Sequence, residues 1–219
     1  MAIRTLQFSG NHVGLVVRGK TSADHKPGVM EQHADCILSN GAPMGFFGEG
    51  GGNLSSGSTS SSRGGRSSGS RPSSADSSSS SSGGSVGMGL DGAVYDFQEM
   101  LQKRPYYVND QQAQTYKVIS AVMRIPVSAA AAKIFDSYWT NLDKNPDTFY
   151  ILGGNCSTRA SGAFMAANLL AGGIPGLDTP SNLWDQLLRV FGKQADCCYG
   201  RVSFQPNAGG QSYNVKVAE

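Results

Sequence analysis

The chain has 219 residues, with 18 Lys and Arg against 16 Asp and Glu, so its formal net charge at pH 7 is +2. This length is sufficient for one domain with a well-buried core, and we expect a single domain over residues 1–219. The net charge is too small and too scattered to indicate a nucleic-acid partner or an anionic membrane surface.

The four cysteines indicate a reduced protein. Cys36, Cys156, Cys197 and Cys198 are few for a disulfide scaffold, and the adjacent pair lacks the spacing of zinc ligands. We therefore expect neither a metal nor a cofactor. The N-terminus lacks the apolar core of a signal peptide, and no apolar stretch approaches the roughly 20 residues that cross a bilayer. We expect synthesis in the cytoplasm, no membrane span, and export only through a specialised secretion system.

Residues 1–47 have the pattern of β-strands. Three apolar runs, "HVGLVV", "VMEQHADCIL" and "APMGFF", are separated by a Pro-Gly break at 27–28 and an Asn-Gly pair at 40–41. Because Asn-Gly favours a tight turn between antiparallel strands, the last two runs are predicted to form a hairpin.

A Ser- and Gly-rich segment follows, from about residue 48 to residue 89. Such a composition buries too little apolar surface to offset the entropy of ordering the chain. The leading piece is short for an independent core. We therefore expect a disordered insert that interrupts one domain, not a linker between two domains.

The central part alternates predicted helices and strands. "DGAVYDFQEMLQ" predicts a helix and "TYKVISAVMRIPV" a strand. "SAAAAKIFDSYWTNL" predicts a second helix with Ser128 as its N-cap. Its expected apolar face consists of Ile134, Phe135, Tyr138 and Leu142.

The stretch "YILGGNCSTRASGAFMAANLLAGG", residues 150–173, predicts a helix from about Ser157 to Ala171 with Asn155 as its cap. Cys156 then lies at the helix N-terminus, where the helix dipole and unpaired N–H groups favour a thiolate and can hold an oxyanion. The alternative is a buried, inert cysteine, which is the common case for a free thiol.

The C-terminal part predicts one helix and two strands. Thr179 and Pro180 suit the first turn of a helix that ends at Gly192, and "YGRVSFQ" and "SYNVKVAE" flank a turn at residues 207–210. Antiparallel strands with segregated helices indicate an α+β fold class.

A thiolate nucleophile requires a base, and only three histidines are present, His12, His25 and His33. A hairpin centred near residues 23–24 would place His12 opposite Asp35, with Glu31 and His33 on one face of the second strand. His25 is expected in a polar loop. The candidate site therefore contains Cys156, His12 and His33, with Asn155, Asp35 and Glu31 as possible orienting or oxyanion residues.

The strand "HVGLVV" followed much later by "YILGGNCST" at a helix start resembles the circularly permuted branch of the NlpC-type, papain-like thiol hydrolases, the relatives of lecithin retinol acyltransferase. This resemblance implies a papain-like fold with Cys156 as nucleophile, His12 as base and His33 as the third polar residue. "HADCILSNGAPMGFFGEG" also resembles a catalytic strand of this superfamily, in which His33 is the base and His12 a neighbour. The long loop between the two histidine strands and the Ser/Gly insert depart from the pattern.

The resemblance implies a cysteine-dependent amide hydrolase that acts on peptidoglycan stem peptides. It also implies an antibacterial effector carried by a type VI or similar secretion system and paired with an immunity protein. Two alternatives remain open. One is a lipid or protein acyl hydrolase or acyltransferase with the same site, and the other is an interaction module without catalytic activity.

Overall fold

The computed structural model describes residues 2–25, 32–49, 89–150, 154–171 and 179–219. Within these ranges the chain forms eight strands and five α-helices, which confirms the expected α+β class. No helix in these ranges combines the length and the apolar character that crossing a membrane requires.

The strands form one antiparallel sheet in the order β1-β8-β7-β6-β2-β3-β4-β5. Their bounds are β1 Ile3–Gln7, β2 His12–Arg18, β3 His33–Ile37, β4 Pro43–Glu49, β5 Asp91–Tyr95, β6 Ser120–Pro126, β7 Asp196–Pro206 and β8 Tyr213–Ala218. The Asn-Gly hairpin between β3 and β4 is confirmed, with Gly41 at a φ of 86° that a side chain would strain.

The helices are α1 Phe97–Lys103, α2 Asp110–Thr115, α3 Ala129–Lys144, α4 Cys156–Ala166 and α5 Pro180–Phe191, with a 3₁₀ turn at Pro105–Tyr107. The three expected N-caps are confirmed: Ser128, Asn155 and Thr179 each accept a hydrogen bond from a backbone N–H of the first turn. The predicted end of α4 at residue 171 was wrong, because Asn168 adopts a left-handed backbone (φ 56°).

Two local predictions were corrected. The segment predicted as one helix from residue 91 is β5 followed by α1, because the Asp96 side chain caps Gln98 and Glu99 and starts the helix there. On α3, Ile134 is 45% exposed and Trp139 is fully buried, so the apolar face is rotated from the predicted one.

Both faces of the sheet are covered. Helices α3, α4 and α5 pack on the face that carries Val13, Leu15 and Val17, and this layer forms the larger core. Helix α1 and the 3₁₀ turn pack on the opposite face with Val16 and Phe47. The candidate site lies at the end of β3, where it draws side chains from both layers.

The predicted insert at residues 48–89 falls almost entirely on residues 50–88, which lie outside the described residues. On either side of it, β4 and β5 pair antiparallel with Glu49 opposite Asp91. The chain therefore leaves and re-enters the same edge of the sheet at adjacent positions.

Because those two ends are neighbours, replacing residues 51–88 with a four-residue Gly-Asn turn should preserve the fold. The closure entropy of a loop changes by only about 0.6 kcal/mol per doubling of its length, and a shorter loop reduces it. We expect a cooperative thermal transition at or above the wild-type Tm. Loss of cooperativity would contradict the prediction and indicate that the replaced residues support the core.

Candidate active site

Cys156 is the first residue of α4, and its side chain is buried at 6% exposure. The Asn155 side-chain oxygen fixes this helix start by accepting hydrogen bonds from Thr158 N (3.0 Å) and Ser157 Oγ (2.8 Å). The thiol therefore lies beside the unpaired N–H groups and positive end of a helix of 11 residues, an environment that stabilises a thiolate.

The thiol lies where β3 and β4 separate. Pairing between these strands covers residues 35–37 of β3, so the backbone of Ala34 is not part of that ladder. The Ala34 N–H instead donates to Cys156 Sγ at 3.5 Å. The end of one strand thus supplies a backbone donor to the sulfur at the start of a helix.

His33 is the imidazole nearest to this thiol. Its Nε2 bonds Asp35 Oδ1 at 2.7 Å, which leaves Nδ1 as the ring nitrogen available for the hydrogen bond between His33 and Cys156. The ring stacks on Phe47 (4.3 Å between centroids, 22°) and lies nearly parallel to Tyr107 (5.6 Å, 12°). These aromatic contacts restrict the rotation of the imidazole.

Asp35 is fully buried and divides its two oxygens between two cationic partners. Oδ1 contacts His33, and Oδ2 accepts from Arg18 Nε at 2.7 Å. Gly45 is directly opposite Asp35 on β4, and a Cβ at this position would lie 2.3 Å from Asp35 Oδ1. A residue without a side chain is therefore required where the carboxylate meets the imidazole.

These contacts shift the ionisation of the pair in opposite directions. Burial opposes a charged thiolate, but the charge and hydrogen bond of His33 and the Ala34 N–H outweigh it and lower the pKa of Cys156. Burial likewise opposes an imidazolium, but Cys156 and Asp35 outweigh it and raise the pKa of His33 to about 10. The two shifts together favour the thiolate–imidazolium form of the pair over its neutral form.

The other cysteines differ from Cys156. Burial raises the pKa of Cys36 and of Cys198, and it raises the pKa of Cys197 to about 11. All four cysteines lie in the described part of the chain as free thiols. Cys156 is therefore the only one of them with a lowered pKa.

The predicted position of His12 was wrong. In the β2–β3 register Val16 pairs with Asp35 and Arg18 pairs with His33, so His12 lies six residues from the site end of β2, roughly 20 Å away. Burial and the charge of Arg124 lower the pKa of His12. The observed pairing is centred between residues 25 and 26, not near residues 23–24 as predicted, so Val16 and not His12 lies opposite Asp35.

Of the other sequence candidates, Asn155 caps α4 beside Cys156, and Glu31 lies outside the described residues. Arg18, Tyr107 and Gly45 were not predicted as site residues. A charged residue that ends the apolar run "HVGLVV" was a signal for Arg18, and the Asn-Gly hairpin, which places Gly45 opposite Asp35, was a signal for Gly45. Nothing local marks Tyr107. Within the residues described, no cluster of three or more His, Cys, Asp or Glu side chains could hold a metal ion.

Comparison of the chain with protein-family models, with curated proteins and with solved structures gives no match. The chemical interpretation of the site therefore depends on its own geometry and on the motif resemblance.

Replacing Gly45 with Ala should separate Asp35 from His33, because the new methyl group overlaps Asp35 Oδ1 and approaches the Phe47 ring. We expect a loss of about 1–3 kcal/mol in the free energy of unfolding, and slower alkylation of Cys156 by iodoacetamide at pH 7.

Gly48→Ala on the same strand is the matched control, because its Cβ would meet the apolar side chains of Leu90 and Phe149. It should reduce stability without changing alkylation of Cys156. Equal alkylation rates for Gly45→Ala and the wild type would show that the carboxylate contact does not control the thiol.

Proposed function

We propose that the chain is a cysteine hydrolase in which Cys156 is the nucleophile, His33 the general acid and base, and Asp35 the residue that orients His33. The observation that carries the proposal is the geometry of a thiol at a helix start that hydrogen-bonds an imidazole held by a buried carboxylate. This arrangement fulfils the requirements for an activated sulfur nucleophile. The papain-like family suggested by the motifs fits it, with His33 and not His12 as base.

In the acylation step the Cys156 thiolate attacks the carbonyl carbon of an amide, and a C–S bond forms. The oxyanion is held by backbone N–H groups at the start of α4, where the positive end of the helix dipole favours negative charge. The His33 imidazolium gives its proton to the leaving nitrogen as the C–N bond breaks. The products are an amine and a thioester on Cys156.

In the deacylation step water attacks the thioester while neutral His33 accepts its proton. The C–S bond breaks, the acid is released, and the thiolate–imidazolium pair is restored. Activity should therefore rise with pH as Cys156 loses its proton, below the usual range for a thiol, and fall as His33 loses its proton near pH 10.

We propose peptidoglycan stem peptides as substrate, with the protein acting as an antibacterial effector carried by a specialised secretion system. This part depends on the resemblance of "YILGGNCST" and the histidine strands to the permuted thiol hydrolases. An immunity protein that blocks the thiol would be the expected partner in the producing cell.

The first test of the site uses the two strand histidines as a pair. His33→Ala should reduce turnover about 10³-fold or more, similar to Cys156→Ala, because a nucleophile and its base act as one unit. His12→Ala should keep turnover close to wild type, since His12 lies at the far end of β2. Thermal melts of each variant exclude unfolding as the cause. Full activity in His33→Ala would exclude His33 as the base.

The substrate is tested by incubating the purified protein with peptidoglycan sacculi and identifying the products by mass spectrometry. We expect new amine and carboxyl termini within stem peptides with the wild type and none with Cys156→Ala. Expression directed to the periplasm should cause lysis that depends on Cys156.

Parallel reactions with phospholipid vesicles and acyl thioesters address the acyltransferase alternative. Release of acyl chains without cleavage of sacculi would indicate that the same site acts on a lipid or protein acyl substrate. Periplasmic toxicity that persists in both Cys156→Ala and His33→Ala would instead support an interaction module and contradict hydrolysis.

A further inference from the structure

A buried arginine lies behind the candidate triad. Arg18 ends β2 directly opposite His33, so its side chain is on the same face of the sheet as His33 and Asp35. Its Nε bonds Asp35 Oδ2 at 2.7 Å, and its guanidinium lies 4.5 Å from the centre of the Tyr107 ring. The side chains of Arg18 and Asp35 are only 3% and 0% exposed.

This ion pair is poorly satisfied as a structural element. Arg18 Nη1 reaches only Ser120 Oγ at 3.5 Å, and buried Nη2 has no hydrogen-bond partner among the described residues. Burying a guanidinium is costly unless all its donors are used, and an apolar pair of similar volume is often at least as stable. Stability therefore does not explain why this charge lies here.

We infer that Arg18 is a positioning residue of this site: it fixes the second oxygen of Asp35 and balances the charge of the buried triad. This inference rests on the function proposed above.

The first part of this role is geometric. Because Arg18 holds Oδ2, the carboxylate cannot rotate, and Oδ1 remains directed at His33 Nε2. Tyr107 covers both the guanidinium and the imidazole, and so restricts both cations. Nδ1 of His33 is thereby kept toward Cys156.

The second part is electrostatic. In the reactive state the row Arg18, Asp35, His33 and Cys156 alternates positive, negative, positive and negative, and its net charge is zero. Without Arg18 the same buried row carries one net negative charge, which disfavours the thiolate. An unbalanced Asp35 would also hold the imidazolium more tightly and slow the transfer of its proton to the leaving group.

Polar or titratable side chains face this row from the elements packed against it. They are Cys36 on β3, Ser120 on β6, and Tyr107 with its neighbour Arg104 at the 3₁₀ turn. Burial raises the pKa of both Cys36 and Tyr107, so both remain neutral through the range in which Cys156 titrates. Arg18 is therefore the cation in contact with Asp35 besides His33.

The test measures the iodoacetamide alkylation rate of Cys156 from pH 4 to pH 10 in the full chain, with modified peptides resolved by mass spectrometry. Arg18→Gln removes the charge and retains one donor. Since loss of a nearby positive charge favours protonation, the alkylation midpoint should move to higher pH by about one unit. The rate below the midpoint should fall about tenfold. A purely structural role would lower the Tm and leave the midpoint in place.

Arg18→Lys is the charge-matched control. It should keep the wild-type midpoint, because the positive charge remains, but lower turnover on sacculi about tenfold, because a lysine cannot fix the carboxylate with a planar fork. This variant also decides the question if Arg18→Gln does not fold. A midpoint in Arg18→Lys that shifts upward by a full unit, or wild-type turnover in it, would overturn the inference.

The alkylation assay needs no substrate, so it separates this inference from the proposed hydrolysis. A shifted midpoint in folded Arg18→Gln supports the charge role even if sacculi are not cleaved. A wild-type midpoint in folded Arg18→Gln overturns it even if sacculi are cleaved.

Discussion

The fully buried carboxylate of Asp35 is the constraint on which the candidate site depends. A carboxylate without water must have its charge balanced and its oxygens bonded, and Asp35 meets this need with one cation on each oxygen. The Asp35 contact orients His33. Burial opposes the imidazolium, but the charges of Cys156 and Asp35 outweigh it and raise the pKa of His33. Burial opposes the thiolate, but the imidazolium and the Ala34 N–H outweigh it and lower the pKa of Cys156. Asp35 therefore favours the thiolate only through His33, because the charge of the carboxylate itself raises the pKa of Cys156.

The site combines both layers of the fold. His33 and Asp35 occupy the face covered by α1 and the 3₁₀ turn, whereas α4 packs on the opposite face. The two meet because β3 extends beyond its pairing with β4, and the thiol bonds the Ala34 N–H at that point. Gly45 supplies the space that this arrangement needs. Cys156 could not accept from the Ala34 N–H if that N–H were paired with β4.

Local features of the chain were predictable from the sequence. The caps at Ser128, Asn155 and Thr179 depend on a few adjacent residues, and so does the Asn-Gly hairpin. The position of Cys156 at a helix start followed from the same local chemistry. The boundary between β5 and α1 was harder, because a strand of five residues directly precedes the capping Asp96. There the apolar periodicity of one element continued into the next.

The partners of Cys156 could not be predicted in the same way, because they depend on the register in which β2 and β3 pair. Placing His12 opposite Asp35 assumed a hairpin centred near residues 23–24, whereas Val16 occupies that position and Arg18 pairs with His33. A register shift of four residues moves a side chain roughly 13 Å along a strand. The shift removes His12 from the site and leaves His33 as the candidate base. Tyr107 comes from a distant part of the chain, and no local pattern associates it with His33.

Because the thiol and its partners come from opposite layers, the reactivity of Cys156 also reports on packing across the sheet. Opening of the α1 side would release Tyr107 and expose the Arg18–Asp35 pair to water, which weakens both charge interactions. Opening of the α4 side would carry Cys156 away from His33 and break the Ala34 hydrogen bond. Either change raises the pKa of the thiol toward its ordinary value. A low thiol pKa therefore requires the sheet and both of its covering layers to be in place at once.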